Sequence, residues 1–295
     1  MKFILTTDTS CDALKTDLDA QNIPWIPLTF TLDGTTYDDN YTTNEQYVEF
    51  YKKVAAGAKP VTSQINTFAH EEFFKKVLAA NPGLPIVHLT LSGGLSETVN
   101  SARLASANVE SSVPGSKVYI IDTLSATQGH MIIVDKGIAL RDSGADAEAA
   151  ATELASFTNN VMHWFMVDDL HHLKRGGRVG AASAFIGTLL KIKPILTINH
   201  EGKLVVVKKA KGASGAIKIF LEQIEQQMLN KDDGTFYIVS ASADKYANEL
   251  KARLIEVYPN CTIKGGWIGP VIGAHTGCGT FGVAFVGKER LTISK

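Results

Sequence analysis

HLTLSGGLSETVNSAR, residues 88–103, decides how the rest of the chain is read. Residues 88–91 have the character of a short buried strand, the chain breaks at Ser92-Gly93-Gly94, and helix formers resume from Ser96. A helix's first turn leaves N–H groups unpaired, with the positive end of its dipole behind them. A strand that passes through glycines into such a turn can therefore hold an anion. Gly93 and Gly94 lack Cβ, so a ligand oxygen can approach the backbone. Ser92 and Ser96 add hydroxyls. The same letters also describe a plain βα turn, and the surrounding segments must weigh the two readings.

Upstream, residues 2–7 read as a buried strand ending in Asp8-Thr9-Ser10, and residues 23–32 as a second strand whose Pro24 and Pro27 suit a sheet edge. Residues 37–40 read as a polar loop. Asn44 caps a helix with Tyr47, Phe50, Tyr51 and Val54 on one face, and Thr67 caps another carrying Phe73, Phe74, Val77 and Leu78. Downstream, residues 117–122 form a strand that delivers residues 123–128 to an Ala-rich helix. Short apolar strands alternating with helices predict a parallel sheet, whose ligands bind beyond the strands' carboxyl ends. Asp8-Thr9-Ser10, Ser92-Gly93-Gly94 and Asp122-Thr123 would then share one cleft.

Past residue 158 the texture changes. A strand at 164–167 leads into a basic stretch holding His171, His172, Lys174, Arg175 and Arg178, and an apolar helix follows at 181–190. A hairpin at 194–209, helices at 214–229 and 243–258, strands at 236–241, 262–268 and 283–286, and a glycine-rich run at 269–282 complete the chain. The expected architecture is α/β in two domains, with a parallel-sheet α/β domain at 1–158 and an α+β domain at 159–295.

The chain's 295 residues suffice for two cores, with 45% hydrophobic and 20% charged residues. A net charge of −1 gives no basic field for nucleic acid. Cys11, Cys261 and Cys278 are scattered and odd in number, which argues for a reducing compartment and against structural zinc. No signal-peptide core and no membrane span is legible, so a cytoplasmic location is expected. Residues 282–288 match the front of a P-loop, but Glu289 stands where Ser or Thr is needed. There is no nucleophile elbow, and His171-His172 have no third metal ligand at suitable spacing. His275, set among glycines, reads as functional. Hydroxyls, glycines and one histidine suit holding a carboxylate or phosphate better than transforming it.

Six blocks in order resemble the DegV family of bacterial fatty-acid-binding proteins. They are residues 8–14 (DTSCDAL), Thr62-Ser63-Gln64, residues 92–102 (SGGLSETVNSA), residues 122–134, residues 170–196 with LKRGGRVG and LLKIKPIL, and residues 269–282 (GPVIGAHTGCGTFG). Against that pattern Gly93 replaces a serine, Glu97 a glycine, Cys278 a proline and His130 a glutamine.

The resemblance implies two α/β domains with a lipid site between them. A long-chain fatty acid would be the ligand, its tail in an apolar tunnel, with no other cofactor and no metal. By it, Thr62 and Ser63 would bond the carboxylate, with Ser92, Ser96 and the Gly93 and Gly94 amides opposite. His275 and Thr276, with Arg175 and Asp38 near, would surround the point of phosphoryl transfer. The protein would be the non-catalytic subunit of a fatty acid kinase, a monomer alone, presenting the acid to an ATP-dependent partner and touching membrane surfaces only transiently. Two other readings stand beside it. One is an enzyme on a small carboxylated or phosphorylated substrate with His275 as acid or base; the other is a lipid-sensing regulator.

Overall fold

Strand and helix alternate through the first half of the chain in a computed structural model that describes residues 1–178, 192–231 and 233–290. In order come β1 (Ile4–Asp8), α1 (Lys15–Ala20), β2 (Trp25–Ile26), β3 (Thr29–Leu32), β4 (Thr35–Asp38), α2 (Asn44–Ala55), β5 (Val61–Ser63), α3 (Thr67–Ala80), β6 (Ile86–Thr90), α4 (Thr98–Ser112), β7 (Val118–Asp122), α5 (Thr127–Asp142) and α6 (Ala147–Phe157). The remainder holds β8 (Val161–Met166), α7 (His171–Arg175), β9 (Ile192–Ile198), β10 (Leu204–Lys211), α8 (Gly212–Gln227), β11 (Thr235–Ser240), α9 (Asp244–Val257), β12 (Thr262–Trp267), α10 (Pro270–Thr276) and β13 (Phe281–Val286). The helix expected at 181–190 lies outside the described residues.

Strands β2-β1-β6-β7 form a parallel sheet in that order. Every residue of β1 and β6 is buried, as a sheet covered on both faces requires. A second sheet, β10-β9-β8-β13-β11-β12, is antiparallel except for the β11–β12 pair. The fold is thus α/β, a parallel sheet beside a mixed one.

Three expectations are corrected in detail. The strand expected at 23–32 is two strands, because Pro27 has no N–H to continue a ladder. Its second part, β3, turns through Asp33 (φ 52°) and Gly34 (φ 81°) into β4, where a polar loop was expected. Two positive φ values in a two-residue connection match the twist of a hairpin. Residues 61–63 are the third strand of this small sheet, β4-β3-β5. The caps of α2 and α3 fall one residue earlier than expected, at Thr43 and Asn66, whose Oδ1 accepts from the Ala69 N–H at 2.9 Å.

Helix α5 contacts β1 of the parallel sheet and β8, β11 and β13 of the mixed sheet. It is therefore buried on opposite sides, and one core cluster joins Leu5, Val87 and Ile121 to Val161, Tyr237 and Ala284 through Ile132 and Ile133. Gly137 packs on Leu5, and a Cβ on Gly129 would overlap the His163 ring. The Tyr237 hydroxyl donates to Asp135 Oδ2 at 2.6 Å.

The two halves also meet backbone to backbone. A Cβ on Gly94 would overlap the main chain of Gly202 in the β9–β10 turn, and the Ser92 hydroxyl donates to the Gly202 carbonyl at 2.8 Å. Gly94→Ala should therefore cost about 1–3 kcal/mol of stability, the usual range for overpacking. It is read as a lowered urea midpoint with unchanged slope; an unmoved midpoint would mean that the turn yields freely.

Candidate ligand-binding site

Between the small sheet, the mixed sheet and the start of α5 lies a cavity with ≈ 910 Å³ of atom-free space, its open mouth included. Leu91, Leu95 and Ala126 wall it from one half of the chain, and Phe165, Ile198 and Val239 from the other. Polar groups gather where β5 meets α10. β5 brings Thr62 and Ser63, its register fixed by Thr62 opposite Phe30. α10, started by Pro270 in its first turn, brings His275 and Thr276. Thr62 Oγ1 and His275 Nε2 are 2.8 Å apart. His275 Nδ1 and Thr276 Oγ1 are buried without hydrogen-bond partners among the described residues.

The His275 ring lies against Gly176, where a Cβ would overlap it. Burial first, then the Arg178 and Arg175 charges, push its pKa down to about 4, so it is neutral at pH 7. Arg178 also lines the cavity, its Nε donating to the Leu95 carbonyl at 3.0 Å and its Nη1 to the Gly176 carbonyl at 2.6 Å.

Of the expected site residues, Thr62, Ser63, Ser96, His275 and Thr276 come together in this lining. Ser92, Gly93 and Gly94 are not among the lining residues and bond within the chain. The Gly93 N–H donates to both oxygens of Asp122, at 3.0 and 3.2 Å, and the Gly94 N–H to Ser92 Oγ at 3.1 Å. Helix α4 begins only at Thr98, so a turn separates these amides from it. The anion that the loop holds is the chain's own carboxylate. Asp8 acts alike, accepting from the Leu91 N–H at 2.7 Å and the Ser10 N–H at 2.9 Å.

Arg175 is exposed, its Nη2 2.8 Å from His172 Nδ1, and His171 pairs with Asp169 at 2.6 Å. Asp38 is exposed on β4, outside the lining; its neighbour Asp39 is buried. The sequence points to Arg178 as a basic residue for docking a partner or ATP phosphates rather than as part of the lining, and it does not single out Thr127 or His163, both of which line the cavity. Alternation along β8 was the signal available for His163, since Val161, His163 and Phe165 share one strand face.

Among the described residues no group of three or more His, Cys, Asp or Glu is placed to hold a metal, and no helix is long and apolar enough to cross a membrane. Fold and cavity together define a ligand-binding α/β protein, with an apolar pocket and a few convergent polar groups. The family model described as an uncharacterised protein of the DegV family matches residues 2–288, and the chain belongs to that family. A DegV domain-containing protein of Clostridium perfringens is 34% identical over 289 residues, 98% of this chain and 99% of its own. A DegV lipid-binding protein from Thermotoga maritima superimposes with a TM-score of 0.85 at 28% identity, covering 99% of this chain and 100% of that one. A fatty-acid-binding DegV family protein from Thermus thermophilus gives 0.84 at 29%, covering 97% and 100%.

Two predictions come from this geometry. Gly176 has φ −77°, so Gly176→Ala strains no backbone and acts only by displacing the His275 ring. The His275 titration, followed by NMR, should move up from about 4 as the ring leaves its buried seat; an unmoved midpoint would mean that the chain around Gly176 gives way instead.

The second concerns acid. Burial pushes His70, His88, His130, His163 and His275 below the ordinary 6.5, His130 and His275 to about 4. Below 6.5 the unfolded chain binds more protons at these sites, so their effect is to lower stability as pH falls. Burial pushes Asp12 and Asp39 up, Asp39 to about 6, and these two carboxyls act oppositely as pH drops through 6. Five imidazoles outweigh two carboxyls, so the melting temperature should fall from pH 7 to pH 5. A rise would assign control to the carboxyl pair.

Proposed function

We propose that the protein binds a long-chain fatty acid in this cavity and presents its carboxylate to a separate ATP-dependent kinase subunit. The observation that carries the reading is an apolar cavity ending at the Thr62–His275 pair, with Ser63, Ser96, Thr276 and Arg178 beside it. Burying about fifteen methylenes at roughly 0.8 kcal/mol each gives ~12 kcal/mol gross, before association and ordering costs. The carboxylate must keep hydrogen bonds, and the hydroxyls of Thr62, Ser63 and Thr276 offer them. A neutral His275 can donate one more. The Thermotoga and Thermus relatives, described as lipid-binding and fatty-acid-binding, support the same reading.

His275 faces a threonine hydroxyl and two arginines rather than an orienting carboxylate. That favours a binding role over acid–base chemistry of its own. Exposed Lys174 and Arg175 stand beside this end of the cavity, where a partner carrying ATP phosphates would dock.

Native mass spectrometry with solvent extraction should find a C14–C18 acid on the purified protein. Thr62→Ala should weaken acid binding by about 1–3 kcal/mol, the cost of a lost bond to a charged group. Acyl phosphate should form only with both ATP and a kinase subunit added. A clean apo mass that takes up no added acid would sink the carrier reading, and acyl phosphate from this chain and ATP alone would sink the division of labour.

A further inference from the structure

The cavity carries polarity that a plain alkyl tail does not use. His163 lines it from β8, only 5% exposed, with its ring clamped against Gly129 of α5. Neither ring nitrogen has a hydrogen-bond partner among the described residues. The Val161 backbone lies near enough to favour the charged form, but not in hydrogen-bonding geometry. Burial, with the Arg290 charge second, keeps the ring neutral, so it offers one donor and one acceptor. Buried polar side chains are nearly always paired. This one is paired with nothing described.

Thr127 supplies an independent observation. It lines the same cavity, two residues before Gly129, and its φ is +54°. β-Branched residues rarely enter the left-handed region. Such strain survives where surroundings over-determine it, ligand clamps among them.

Strand register separates His163 from the polar end of the cavity. It pairs with Ala284 of β13, four residues on from Thr280, which just precedes that strand and whose hydroxyl donates to the Thr276 carbonyl next to His275. Four residues at ~3.3 Å each make ~13 Å. An extended alkyl chain, with C–C bonds near 1.5 Å and angles near 111°, advances about 1.25 Å per carbon. For an acid lying along β13 with its carboxyl group at that polar end, His163 would face a point about ten or a few more carbons along the chain.

We propose that the cavity is built for an oxygenated long-chain acid, with His163 hydrogen-bonding a mid-chain hydroxyl and Thr127 beside it. This inference rests on the fatty-acid reading of the site. A hydroxyl donates and accepts, so it can pair with a ring nitrogen whether or not that nitrogen carries the proton. A saturated chain could pair with neither nitrogen, and neither has a partner among the described residues.

Stearic acid and its 2-, 10-, 12- and 17-hydroxy derivatives are titrated against the delipidated protein and against His163→Phe, which keeps a ring beside Gly129. The 10- or 12-hydroxy acid should bind about tenfold tighter than the 2- and 17-hydroxy acids, as a single well-placed hydrogen bond allows. His163→Phe should abolish that preference. Equal affinity across the hydroxy acids, or an unchanged preference in the variant, overturns the inference while stearic acid binding still upholds the carrier reading. Binding of none of the five acids overturns both. Should the variant not fold, the ranking in the unaltered protein decides.

Discussion

Helix α5 has no solvent face to spare along its first three turns, because a sheet packs against each of two opposite sides. A helix so placed must be apolar or internally paired all round. Ile132 and Ile133 supply the apolar part. His130 turns its polar atoms to the parallel sheet, 3.1 Å from Thr7 Oγ1 and 3.0 Å from Ser10 Oγ. Asp135 faces the mixed sheet, where it takes Tyr237 and Lys264. The helix thus sets the gap between the sheets. At its N-terminal end, where Ala126 and Thr127 are the last residues to fill that gap, the cavity begins.

The rim of the parallel sheet is closed by the chain itself. Asp8 ties the end of β1 to Leu91, Asp122 ties the end of β7 to Gly93, and Ser92 reaches across to Gly202. Buried Arg290 fastens the same junction, donating to the Val161 carbonyl at 2.9 Å, to Ser125 Oγ at 2.8 Å and to the Leu124 carbonyl. Removing one member of such a network leaves buried partners unsatisfied, which is costlier than the bond's own worth. The crevice where parallel sheets ordinarily take ligands is therefore occupied, and the open space lies to its side, under β5 and α10.

What remains at the polar end of the cavity is chosen for neutrality. His275 is held uncharged by burial and by two arginines, and the groups beside it are hydroxyls. Among the described residues Arg178 is the charged residue of the lining, and carbonyls of Leu95 and Gly176 already engage it. An anion seated there would be hydrogen-bonded without being locked in a tight ion pair.

The sequence by itself determined the local elements, because strand and helix periods, proline placement and caps act over a few residues. From it came the alternation that gives β1, β6 and β7, the amphipathic face of α2, and the suspicion attached to His275. The resemblance of six ordered blocks added the family. Tertiary structure alone decided which groups those elements would meet. Gly93-Gly94 looked like a loop waiting for a ligand's anion; the strand ends put Asp122, 29 residues on, in the same cleft, and only the fold shows that its carboxylate takes that amide. Thr62 and His275 bond across 213 residues of chain, and His163 lines the cavity with its ring packed on a glycine of α5. A hydrogen-bond donor is legible in a sequence; its partner is a matter of direction and distance, which no local pattern encodes.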